Sequence, residues 1–193
     1  MSRFVSWSDV FGNDAPVEVE IGPGRGEMLL AYAAASPAVN FFAIERSAGR
    51  AAAIDAKATA LGLRNVRVLA GDARCIVAHA IADGSVRAYH VYFPDPWPKR
   101  RHHHRRLAHG ALAEHLARTL APDGVLHVAS DLPELVDELA RRLVRAGLVR
   151  DPGATAAVDR PTTSFERRYA IAGTCYARFT AEAKEGRGSG ARL

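Results

Sequence analysis

Val17 to Ile21 alternates apolar residues with Glu18 and Glu20 and runs directly into Gly22-Pro23-Gly24-Arg25-Gly26. The next stretch, Glu27 to Ala35, reads as a helix. A short strand that turns on glycines into a helix is the corner of a doubly wound α/β fold, where backbone and helix N-terminus together meet a ligand. The remaining chain keeps the alternation. Asn40 to Ile44 is a short, largely apolar second strand, as expected when helices cover both sheet faces. Arg50 to Leu61 reads as a helix closed by Gly62, and Val66 to Ala70 as a third strand leading to Gly71-Asp72. Cys75 to Ile81 is a short helix and Val86 to Phe93 a fourth strand. Leu107 to Leu120 is helical, Pro122-Asp123-Gly124 a turn, and Val125 to Ala129 a fifth strand before Ser130-Asp131. Pro133 to Ala146 is a helix with proline in its first turn. Strands at Leu148 to Arg150 and Cys175 to Thr180 complete a mostly parallel, seven-stranded sheet with helices on both faces.

At 193 residues this is expected to be one domain over residues 16–183. A short, loosely structured lead-in (1–15) precedes it, and a Gly- and charge-rich tail (184–193), expected to be disordered, follows. Cys75 and Cys175 stand in no ligand-like spacing, which argues against a disulfide scaffold and against structural zinc. The N-terminus has no apolar signal core and no stretch approaches ~20 apolar residues, so the expectation is a cytoplasmic protein with no membrane partner.

Five acids fall at or just past the ends of the expected strands: Glu20, Glu45, Asp72, Asp95 and Asp131. Ligands of such sheets sit beyond the carboxyl ends of the strands, so these acids rim one site. The glycine spacing matches neither the dinucleotide G-x-G-x-x-G nor a phosphate clamp ending in GK[ST]. Pro23 also removes a backbone N–H from the turn. An NAD-type oxidoreductase is therefore disfavoured. S-adenosylmethionine fits better: it has no phosphate, carries a sulfonium and an ammonium, and offers ribose hydroxyls that Glu45 can accept from.

The fourth strand delivers Phe93-Pro94-Asp95-Pro96-Trp97-Pro98, which locks a carboxylate between prolines, and then Lys99-Arg100-Arg101-His102-His103-His104-Arg105-Arg106. Those eight residues hold five permanent positive charges and supply much of a formal net charge of +5, so the basicity is a local patch suited to a polyanion. The three consecutive histidines cannot converge on one metal ion from a regular element, and no metal is expected.

EIGPGRGEMLL, from Glu20 to Leu30, resembles the first motif of class I methyltransferases with their Rossmann-like fold. The stretch from Phe93 to Arg106, Asp131, and Arg160-Pro161-Thr162-Thr163-Ser164-Phe165-Glu166-Arg167-Arg168 are similar, in the same order, to the tRNA (guanine-N7-)-methyltransferase family. The resemblance implies S-adenosylmethionine as cofactor, tRNA as partner, and N7-methylguanosine at position 46 of the variable loop as product. It places Glu20, Gly22, Gly24, Gly26, Glu45, Asp72 and Asp95 at the cofactor, with Asp95 central to catalysis. Lys99, Asp131, Thr163, Ser164, Phe165 and Glu166 would meet the nucleotide, and Arg100, Arg101, Arg105 and Arg106 the tRNA backbone. A monomer or homodimer is compatible with it. The other class of function that the sequence leaves open is a catalytically silent RNA-binding module on the same fold.

Overall fold

The order of neighbours in the sheet, β3-β2-β1-β4-β5-β7-β6, reverses direction between β1 and β4. The computed structural model describes residues 4–97, 99, 101–102, 106–107, 109–154 and 174–181. Its strands are β1 (Val17–Ile21), β2 (Asn40–Glu45), β3 (Val66–Ala70), β4 (Val86–Tyr92), β5 (Leu120–Ser130), β6 (Leu148–Arg150) and β7 (Cys175–Ala181). The helices are α1 (Trp7–Phe11), α2 (Glu27–Ala35), α3 (Ala48–Ala60), α4 (Ala73–His79), α5 (Leu112–Thr119) and α6 (Pro133–Arg145). β1 pairs in parallel with both β2 and β4, whereas β7 runs antiparallel to β5 and β6. The expected Rossmann-like architecture is thus observed.

The core divides by face. Val17, Val19, Tyr89, Val91, Leu126, Val128 and Phe179 pack on one side against α1, α4, α5 and α6. Phe41, Ala43 and Val66 pack on the other against Leu29 and Ala33 of α2 and Ile54 and Ala58 of α3. α6 shows the pattern that causes this: Leu135, Val136, Leu139, Ala140 and Leu143 form one buried stripe at helical spacing. Arg118 of α5 donates to the carbonyls of Val77 (3.0 Å) and Ala78 (3.2 Å), satisfying the end of α4. Tyr89 and Thr119 share a buried 2.7 Å hydroxyl hydrogen bond.

The lead-in is more ordered than expected. Ser6 caps α1 by accepting from the Asp9 N–H at 3.3 Å, and Gly12 ends the helix at φ +73°. Trp7 meets Phe42 edge-on with ring centroids 5.1 Å apart, and its Nε1 donates to the Ser85 carbonyl at 3.1 Å. Five residues are too few to show a periodicity, so this helix exists because Trp7 and Phe11 find an apolar face. α3 and α4 each start two residues earlier than expected because Ser47 and Asp72 are their caps. α5 begins at Leu112 instead of Leu107. Pro122-Asp123-Gly124 lies inside β5 as an irregularity: Val86 pairs with Leu120 but Ala88 with Val125, and Asp123 takes φ +61°. The tail 184–193 lies outside the described residues. Among the described residues no helix is long and apolar enough to cross a membrane.

Gly26 opens α2 at φ +76°, and a Cβ there would sit 2.8 Å from Ile54 Cγ2 in α3. Gly26→Ala therefore combines backbone strain with overpacking, and is expected to destabilise by about 1–3 kcal/mol, read from urea unfolding.

Candidate active site

Parallel strands in this register finish at one level, since Glu20 faces Ala43 across β1–β2 and Glu45 faces Ala70 across β2–β3. Above their ends, at the switch between β1 and β4, lies a cleft of about 660 Å³. The Gly22-Pro23-Gly24 turn, the segments after β2 and β3, and the Phe93–Asp95 loop form its walls. Glu20, Glu45, Asp72 and Asp95 all line it, so four of the five acids converge. Asp131 does not line it; it stands exposed just beyond β5, with Ser130 Oγ donating to its Oδ1 at 3.4 Å. Gly22 and Gly24 face the cleft at positive φ, whereas Gly26 is turned to the α2–α3 contact.

The acids differ in state. Glu20 is only 5% exposed, and burial pushes its carboxyl up to about 8, opposed in part by a hydrogen bond from the Leu29 backbone N–H. Glu45 is equally buried; its Oε1 accepts from the Ser47 N–H at 2.8 Å, and Arg50 Nε stands 3.8 Å away. Asp72 caps α4 and is gripped by Arg74, with Nε to Oδ1 at 3.1 Å and Nη2 to Oδ2 at 2.7 Å. That side-chain hydrogen bonding holds the Asp72 carboxyl below its ordinary value. Asp95 is exposed at the rim. Prolines flank it, and beyond them Phe93 and Trp97 take φ +48° and +42°. Non-glycine residues held in this region cost roughly 1–3 kcal/mol each and persist only where the surroundings enforce them.

Sequence reasoning described this rim as acidic and missed its arginines. Arg25, Arg46, Arg50 and Arg74 also line the cleft. The Asp72-x-Arg74 spacing at a helix start was the available signal, because a capping acid and the residue two positions on lie side by side. His90, which is buried, and His127, which is partly buried, form a polar layer on the α2 side, where Tyr32 packs on His90. His90 bonds Glu18 and Tyr92, each at 2.9 Å, and its ring stacks on His127 with centroids 5.2 Å apart. His127 in turn bonds Tyr176, and burial next to His90 lowers its pKa to about 4. Among the described residues no cluster of three His, Cys, Asp or Glu is placed to hold a metal.

The basic stretch divides. Lys99 and Arg101 are exposed, and Trp97 meets His102 edge-on at 5.8 Å. Arg106 departs from the expectation of a free phosphate donor, because its guanidinium is turned inward to Pro96 and Glu138. Arg100, Arg105, Thr163, Ser164, Phe165 and Glu166 lie outside the described residues.

Residues 14–175 match a family described as "Putative methyltransferase". The chain is 37% identical over 166 residues to a Shewanella baltica tRNA (guanine-N(7)-)-methyltransferase, covering 83% of this chain and 70% of the relative. It is 40% identical over 176 residues to the protein of that name from Mycobacterium tuberculosis, covering 84% of this chain and 65% of the relative. The fold matches the 16S rRNA methyltransferase KamB with a TM-score of 0.65 at 20% identity, over 94% of this chain and 95% of that one. It also matches a SAM-dependent methyltransferase from Aquifex aeolicus with a TM-score of 0.61 at 18% identity, over 89% and 86%.

Glu20 ionises near 4.5 when unfolded and near 8 when folded, so between those values the folded state binds more protons and stability falls as pH rises. Glu20→Gln, with no charge to bury, is expected to melt at higher temperature than the wild type at about pH 9. The gap should close at or below about pH 4.5. Parallel melting curves across that range would contradict a buried, pH-dependent carboxylate.

Proposed function

Because the chain belongs to the tRNA (guanine-N(7)-)-methyltransferase family, we propose that it methylates N7 of a guanosine in tRNA with S-adenosylmethionine as donor. The observation that carries this reading is a switch-point cleft with two buried carboxylates and a glycine turn short of N–H donors, bordered by the loop that leads into a basic stretch. Such a cleft, with carboxylates and arginines on one rim, suits a ligand that carries both an ammonium and a carboxylate. Glu20 would meet the ammonium, and binding of that cation would favour its ionised form. Glu45 has Oε1 engaged by Ser47, which leaves Oε2 for ribose hydroxyls. Asp72 and Arg74 set an acceptor beside a donor, the complement of adenine's N6–H₂ and N1. Bound there, S-adenosylmethionine supplies an electrophilic methyl group on its sulfonium.

The chain's own residues have little proton chemistry to perform. Guanine N7 presents an in-plane lone pair at neutral pH, so neither a strong general base nor a protein nucleophile is needed. Alignment of base and donor is what matters, and orientation of that kind is worth ~7–11 kcal/mol. Asp95, on a loop with two prolines and two constrained backbone positions, orients the base and faces the positive charge that develops on the purine. Asp131 or Glu166 accepts from the guanine N1–H and N2–H₂ edge, a pattern adenine lacks. Lys99 and Arg101 meet phosphates. The finer assignment, guanosine 46 in the variable loop, rests on the family resemblance of the Phe93–Arg106 stretch, and a bacterial cytoplasmic setting goes with it.

Incubation with labelled S-adenosylmethionine and unmodified tRNA should place the label on guanine N7, and a transcript lacking guanosine 46 should take up none. Label on any other atom would refute the reading. Asp95→Asn should lower kcat about 100-fold, with a much smaller change in S-adenosylhomocysteine affinity by calorimetry. Lys99→Ala and Arg101→Ala should each weaken tRNA binding and reduce the log Kd against log salt slope by about 1.

A further inference from the structure

Arg106 sits in a run of basic residues, yet its geometry is that of an internal brace. Nε donates to the Pro96 carbonyl at 2.9 Å and Nη1 to Glu138 Oε2 at 2.7 Å. The two side chains are only 15% and 25% exposed. Pro96 is the neighbour of Asp95, inside the loop whose backbone is constrained at Phe93 and Trp97. Glu138 belongs to α6, the helix that follows Asp131 and packs its apolar stripe into the core. A strained loop keeps its shape only when something fixed holds it. The rigid, planar guanidinium supplies that hold by donating in two directions from one fork.

We propose that Arg106, anchored by Glu138, is a positioning residue that holds Asp95 in place through the Pro96 carbonyl, and that it is not a phosphate contact. The inference rests on the methyltransferase reading above. It separates the basic stretch into two roles: Lys99 and Arg101 grip RNA, whereas Arg106 locks the catalytic loop to the scaffold. The brace also couples the loop carrying Asp95 to the base of the helix beyond Asp131, so Asp95 and Asp131 are referred to one rigid element.

Glu138 makes the idea testable, because an acid cannot be a phosphate ligand. Glu138→Ala and Arg106→Ala should each lower kcat about 10- to 100-fold, with KM for tRNA and the salt slope of binding nearly unchanged. The double variant should be no worse than either single one. Arg106→Lys keeps the charge but loses the two-directional fork, and should not restore kcat. Full kcat in Arg106→Lys, a salt slope reduced by about 1 in Arg106→Ala, or normal kcat in Glu138→Ala would each overturn the proposal. Loop position is read independently of activity from Trp97 emission in a Trp7→Phe background. That emission should change in both alanine variants while S-adenosylhomocysteine still binds, and an unchanged spectrum would also overturn the brace. A wild-type protein inactive on tRNA would refute the functional reading alone, because the emission readout would still test the brace.

Discussion

Parallel pairing of β1 with β2 on one side and β4 on the other is the constraint from which the site follows. Hydrogen bonding in that register brings the ends of four strands to one level and sends the chain away from β1 in opposite directions. A crevice opens there because no crossover covers it. Glu20 and Glu45 are buried for the same reason: each is a strand residue whose neighbours on both sides are also strands. Burial of Glu20 disfavours its charge in the empty protein and a nearby cation favours it, so ionisation of that carboxyl and binding of a cationic ligand support each other.

The Phe93–Trp97 loop is a second place where stability and function pull apart. Prolines on both sides of Asp95 narrow its backbone, and two left-handed residues complete a shape that an unsupported chain would abandon. Support arrives from outside the loop. The Phe93 N–H donates to the Ala129 carbonyl at 2.7 Å, and Arg106 reaches Pro96 from the far side. Alignment of this kind is the contribution expected of a protein whose substrate atom already carries the lone pair it needs.

The alternation of strands and helices was legible because each strand is short, apolar and followed by a turn or a capped helix. β1, α2, β3 and β6 fall on their expected bounds, and the other strands within a residue or two, except β5. There Leu120 extends the strand backwards across a turn, a pairing with Val86 that only the neighbouring strand can dictate. α1 was missed because its order comes from Trp7 and Phe11 docking on the sheet's apolar face, not from any periodicity of its own.

Places at strand ends pointed to five acids on one rim; Glu20, Glu45, Asp72 and Asp95 do share it, whereas Asp131, beyond β5, stands outside. Sequence by itself also disfavoured a dinucleotide, through a glycine spacing that matches no such fingerprint and a proline that removes one N–H from the turn. What each charged group does with its charge was decided by tertiary structure. Asp72 is paired to Arg74, Glu20 is driven towards neutrality, and Arg106 is turned from solvent to Pro96 and Glu138. The reason is physical: residue type and spacing specify which groups can come near one another, but desolvation and partner geometry depend on elements far apart in the chain.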